Sequence, residues 1–193
     1  MIPQSLRDRS ALIVTLALTT AYAVLRYNVF KGVDWSQVPL YVLNKSVAWS
    51  SIVLFALAAR HAVKTRGELA PNPRFVEGSA LASLHVLMSL MLLAPANYPD
   101  FFDASARFKL TAGIAMLCGL LGTLSAAGAR RATGSALLLS IAVFSHTTLL
   151  GAANWLTPAK WPGYMIPITL LSALAALAMS VLTFVWATRR AGR

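Results

Sequence analysis

His85 and His146 are the two residues of this 193-residue chain whose type and placement could do chemistry. Each lies within an apolar run: L-H-V-L-M-S-L-M-L-L for the first and S-I-A-V-F-S-H-T-T-L-L for the second. Neither has an obvious charged partner along the chain. An imidazole is costly in such a segment and persists where it hydrogen-bonds a neighbouring helix or ligates something. A lone histidine would suit the first role, with Ser89 and Ser145 as available hydroxyl partners. Two, on separate segments, raise the case for a shared ligand. Zinc usually takes three or four ligands, and no third histidine, cysteine or carboxylate stands at matching depth. Haem iron needs only two axial ligands, and its porphyrin is apolar enough to sit between helices. Haem b is the cofactor that fits the count. Covalent c-type attachment is excluded because there is no C-x-x-C-H.

The elements that must carry these residues are membrane helices. The chain is 58% hydrophobic and 12% charged, and a soluble domain of this size would need far more charge on its surface. At about 20 residues per crossing there is room for six helices and short loops. The expected fold is an all-α integral membrane protein, a single domain over residues 1–193 forming a bundle of six transmembrane helices. The spans are drawn at about 10–30, 38–59, 77–95, 109–128, 134–155 and 164–188. The first resembles a signal peptide, with A-Y-A at Ala21 to Ala23 as a cleavage site. It nevertheless runs on to Phe30 and is followed by five more spans, so it is expected to stay as a helix.

Net charge is +11, yet no nucleic-acid partner is expected, because the basic residues sit in the gaps between apolar runs rather than on one face. That distribution is a topology signal. With the N-terminus in the cytoplasm, that side holds Arg7, Arg9, Arg60, Lys64, Arg66, Arg74, Arg130, Arg131, Arg189, Arg190 and Arg193. The other side holds Arg26, Lys31, Arg107, Lys109 and Lys160. Eleven against five places both termini in the cytoplasm. The loop N-Y-P-D-F-F-D then faces outward, with Trp35, Trp155 and Trp161 at the level of an aromatic belt. The expected location is a bacterial inner membrane, with the lipid bilayer as the principal partner.

Depth along the helices brings the two histidines together. His85 lies eight residues above Glu77 and His146 twelve above Gly134. At 1.5 Å per residue these are depths of roughly 12 and 18 Å in a hydrocarbon core about 30 Å thick. Helix tilt can absorb that mismatch. Gly78, Ala82, His85 and Ser89 share one helical face, a small-residue stripe that leaves room for a flat ligand. Helix four carries a similar stripe, Ala115, Gly119, Gly122 and Ala126, with no ligand in it, so a stripe alone says little. Lys45 and Arg26 read as snorkelling residues near helix ends. Glu77 suits the start of the third helix, where the dipole favours a carboxylate. His61 reads as an exposed basic residue, and Cys118 as a small apolar one.

The strings L-Y-V-L-N-K-S-V-A-W, L-H-V-L-M-S-L-M-L-L-A-P-A-N-Y-P-D-F-F and H-T-T-L-L-G-A-A-N-W-L-T-P-A-K-W-P-G-Y-M-I-P resemble those of small bacterial members of the ferric-reductase-like transmembrane domain family. That family includes the membrane parts of NADPH oxidases and ferric reductases, and the haem-bearing membrane subunit of the methionine sulfoxide reductase system. The resemblance implies haem ligation by His85 on helix three and His146 on helix five, and electron transfer across the membrane. Larger members carry a second histidine 13 or 14 residues along each of these helices. Here those positions are Tyr98, Pro99, Asn72 and Pro71 about His85, and Ala159, Lys160, Thr133 and Ala132 about His146. One haem is the most this pattern supports.

There is no G-x-G-x-x-G motif and no room for a flavin domain. Electrons must come from a quinone, or from the FMN of a partner flavoprotein, and leave to an acceptor at the outer face. The alternative is a haem-free transporter subunit or assembly factor, in which both histidines serve only as interhelical hydrogen-bonding residues.

Overall fold

The computed structural model describes residues 4–69, 72–129 and 133–191, without the side chains of residues 4–9. Pro71, Arg130, Arg131, Ala132 and Arg193, and the side chains of Arg7 and Arg9, lie outside the described residues. The described chain is helical, its one extended pairing being a single bridge between Phe102 and Phe108. Six long helices follow in order: α1 Gln4–Val24, α2 Leu43–Thr65, α3 Pro73–Met91, α4 Leu110–Gly128, α5 Thr133–Trp155 and α6 Ile168–Ala191.

Among the described residues, five stretches are long and apolar enough to cross a membrane: Ser10–Phe30, Trp35–Thr65, Leu110–Gly128, Thr133–Trp155 and Pro162–Ala191. These belong to α1, α2, α4, α5 and α6 with their helical extensions. The 19 residues of α3 rise about 28 Å, enough to span, but Arg74, Glu77 and His85 dilute its apolar content. The helices keep large apolar side chains on the outside, among them Leu18, Leu87, Met91, Leu117, Leu124 and Phe184. An exposed apolar surface of this extent suits lipid rather than water.

The interior is built differently. Ala58, Ala59, Ala62, Ala126, Ala129 and Ala136 are buried with Phe55, Phe75, Leu139, Met179 and Trp186 in one cluster. Ser46, Ser50, Ser51, Ser140, Thr147, Ser172 and Thr183 are buried as well. Small residues let backbones approach, and hydroxyls find partners on or across helices. At Gly78 an added Cβ would stand 3.1 Å from both the Phe55 ring and the Ser51 carbonyl oxygen, so glycine is what brings α3 onto α2.

Packing is sequential with one closure: α1 on α2, α2 on α3, α4 on α5, α5 on α6, and α6 back on α2. The α3 and α5 helices are not among the closely packed pairs. They face one another across the interior, and the space between them is where the histidines meet.

Several boundaries depart from expectation. Helix α3 starts at Pro73, not Glu77, because Asn72 caps it: Asn72 Oδ1 accepts from Arg74 N at 3.0 Å, and proline suits the first helical position. Glu77 thus stands a turn inside the helix rather than at its entrance. Helix α3 ends at Met91, and Leu92–Asn97 turns tightly instead of continuing the span to 95. Helix α2 runs on to Thr65, beyond the expected 59, and closes with Arg66 in the left-handed region (φ 53°). At the other end of the bundle, Leu25–Phe30 and Val38–Val42 wind as wider π-helical turns.

Candidate functional site

The ring centroids of His85 and His146 lie 6.2 Å apart, with the ring planes at 73°. The corrected start of α3 explains why they meet so well. His85 stands twelve residues after Pro73 and His146 thirteen after Thr133, which are rises of about 18 and 20 Å. The expected mismatch in depth therefore largely disappears.

Each ring is held by its Nδ1 atom. His146 Nδ1 lies 2.6 Å from the carbonyl oxygen of Ala115 on α4. A carbonyl only accepts, so Nδ1 carries the proton and the lone pair is on Nε2. Ser145, an expected partner, is not used. The Ala115 carbonyl serves instead because Gly119, one turn along α4, brings the ring against the helix. A Cβ at Gly119 would stand 2.9 Å from His146 Nδ1 and 3.0 Å from Cε1. The small-residue stripe of α4, expected to hold no ligand, is thus the seat of a histidine.

His85 Nδ1 lies 2.7 Å from Asn44 Oδ1 on α2, with Ser89 Oγ at 3.4 Å. Asn44 is fully buried. Its amide nitrogen donates to Ser89 Oγ at 3.0 Å and to the Tyr98 hydroxyl at 3.1 Å. With the amide so oriented, its oxygen faces the ring, and His85 also bears its proton on Nδ1. Neither Nε2 has a hydrogen-bond partner among the described residues.

These features fit a two-ligand metal centre. A histidine ligand typically donates its second ring N–H to a carbonyl or carboxylate, which fixes ring and tautomer. Both rings meet that requirement, the amide oxygen of Asn44 acting as the carbonyl for His85. A metal about 2 Å from each of two opposed nitrogens, each nitrogen about 1.1 Å from its own ring centre, separates the centres by about 6 Å. The observed 6.2 Å would accommodate such a metal, and it is also the distance of an ordinary edge-to-face ring contact. Among the described residues no group of three or more His, Cys, Asp or Glu converges; the two imidazoles are as many donors as the axial positions of a haem iron take.

Two cavities border the pair. One, of about 110 Å³, is bordered by Ile52, Phe55, Ala82, Gly119, Leu139 and Val143 as well as both histidines. The other, of about 390 Å³, has both histidines in its wall and opens among Arg26, Lys31, Lys45, Tyr98, Lys160 and Trp161. The apolar and small residues beside the rings are the kind of lining that a flat macrocycle between α3 and α5 would need.

Sequence reasoning missed several of these residues. Lys45 does not snorkel away from the site: its Nζ stands over the Tyr41 and Tyr98 rings at 4.9 and 4.5 Å. Arg26 is buried at 7% exposure and donates through Nη1 to the Met165 carbonyl. The polar pair Asn44–Lys45 inside an apolar helix was the available signal. Tyr98 supports Asn44 through its hydroxyl, and burial pushes its phenol above the usual tyrosine range. His61 is exposed near the end of α2, as expected.

In comparison with known proteins, no family model, curated protein or solved structure matches the chain.

Proposed function

We propose that the chain is a membrane electron carrier of the b-type cytochrome kind, holding one haem b between α3 and α5 through His85 and His146. The observation that carries this reading is the histidine pair itself. Two imidazoles on opposite helices, each with Nδ1 committed and Nε2 free, stand at a spacing that would accommodate a shared metal. When bound, the haem supplies a reversible one-electron couple at its iron. The chain's own residues do the rest. Asn44 and the Ala115 carbonyl hold the two tautomers and orient the rings. Ile52, Phe55, Leu139 and Val143 keep water from the inner side. The likeness of the three strings quoted above to ferric-reductase-like domains points the same way.

In this reading α3 is the sixth span, both termini are cytoplasmic by the distribution of basic residues, and the protein resides in a bacterial inner membrane. A quinone or a partner flavoprotein donates electrons, and the acceptor lies at the outer face.

The test is an optical spectrum of protein purified from haem-replete cells. A Soret band that shifts on reduction, with an α-band, both lost in His85→Ala and in His146→Ala, is the expected result. A colourless protein under those conditions refutes the reading. It would leave the alternative of a haem-free transporter subunit or assembly factor, favoured by the fact that both histidines already bridge helices through Nδ1.

A further inference from the structure

The larger cavity is markedly cationic. Arg26, Lys31, Lys45 and Lys160 line it, and Asp100 is the one acidic residue in its wall. Of these cations Lys45, three residues into α2, is the one that also borders the smaller cavity. Its ammonium forms no ion pair or hydrogen bond among the described residues and rests only on the aromatic faces of Tyr41 and Tyr98. Both histidines share the walls of the two cavities with it. Lys31 sits over the Tyr27 ring at 5.7 Å, and Arg26 spends one nitrogen on a backbone carbonyl. An unpaired ammonium in a partly dehydrated cavity is unfavourable, and four cations against one carboxylate together attract an anion.

We propose that this cavity binds the carboxylate of a ligand, with Lys45 as the residue that holds it. The proposal rests on the haem reading. Lys45 lies beside the histidine pair, so the carboxylates are either those of the tetrapyrrole that the histidines ligate or those of a separate small acid in the same cavity. Lysine is suited to either, as a compact point charge on a flexible stem. The rims at Lys31 and Lys160, both exposed, draw the anion inward without being required to touch it.

The experiment compares haemin with haemin dimethyl ester, which keeps the iron and macrocycle but has no carboxylate. Both are titrated optically into the detergent-solubilised protein. Wild type is expected to bind haemin about tenfold or more tightly than the ester, as a charge-assisted contact implies. Lys45→Met should lose that preference while still binding the ester like wild type, and Lys45→Arg should keep it. Retained ester binding shows that the variant is folded. If Lys45→Met binds neither compound, Lys45→Gln is judged by the same ratio. Without a preference in wild type, a shift of the ester-loaded Soret band on adding acetate, absent in Lys45→Met, assigns the site to a separate carboxylate. A preference unchanged by Lys45→Met, or neither preference nor acetate response in wild type, overturns the proposal and leaves the haem reading standing. Failure of wild type to bind either porphyrin overturns both.

Discussion

The carbonyl oxygen of Ala115 accepts a hydrogen bond from His146 Nδ1 at 2.6 Å, so a backbone group of α4 sets the tautomer of a side chain on α5. An α-helical carbonyl is normally occupied by the N–H four residues on. Sharing it with a side chain requires close access to the backbone, and Gly119 provides that access. The histidine pair is therefore a product of helix packing as much as of histidine placement.

Gly119→Ala tests this directly. In an open helix the change should stabilise by up to about 1 kcal/mol. Here the new methyl group would meet the imidazole at 2.9 to 3.0 Å, tighter than atoms can stand without displacing the ring. The expected outcome is loss or weakening of haem binding, read as a reduced Soret-to-protein absorbance ratio. Gly113→Ala is the control, because its Cβ would make only an ordinary 3.6 Å contact with Phe108. Equal haem content in the two variants would count against a tight seat for His146.

Much of this was legible in the sequence, and the part that was not has a physical reason. The apolar runs gave the helices, because membrane spans follow from length and composition alone. His85 and His146 stood out because imidazole is rare in such runs. Lys45 is visible in the sequence but reads as a snorkelling residue, since a charged residue near a helix end usually reaches for water. Only the packing of α3 on α2 shows that Asn44 Oδ1 faces His85, and no periodicity encodes that. Gly119 was hidden for the same reason, as one of several small residues that all permit close packing.

Asn44 should tune the site without ligating it. Replacing it by leucine leaves the His85 N–H and the Ser89 and Tyr98 hydroxyls without their shared partner. A buried group so stranded costs about 1–3 kcal/mol, and loss of such a supporting bond typically weakens metal affinity by about 10- to 100-fold. The accepted hydrogen bond makes His85 more basic and so favours the oxidised metal, and removing it should raise the midpoint potential. Potentiometric titration of Asn44→Leu against Asn44→Gln measures this. A potential unchanged in both, with haem retained, would show that Asn44 serves packing only.

Gly78→Ala probes the scaffold apart from the cofactor. The added Cβ would stand 3.1 Å from the Ser51 carbonyl oxygen and from Phe55 Cδ1. A ring can tilt, whereas a helix backbone carbonyl cannot move alone, so α3 must shift away from α2. Overpacking of this kind costs about 1–3 kcal/mol. Thermal unfolding in detergent should fall clearly below wild type even for protein prepared without haem. An unchanged melting temperature would mean that the α2–α3 contact is looser than described.

The attachment of α1 offers a separate test, because this helix packs chiefly on α2. Thr19 Oγ1 donates to the Thr15 carbonyl at 2.9 Å and lies 2.7 Å from Ser50 Oγ, both residues being buried. With the threonine proton committed within α1, the Ser50 hydroxyl is the donor across the interface. Such bonds between membrane helices average about 0.6 kcal/mol by double-mutant cycles. Thr19→Val, Ser50→Ala and the double variant should give a coupling of that order in unfolding measurements. The histidine pair lies on α3 and α5, so all three variants should keep the wild-type Soret band. A coupling near zero would show that α1 is held by apolar packing alone, and a loss of the band would tie α1 to the site.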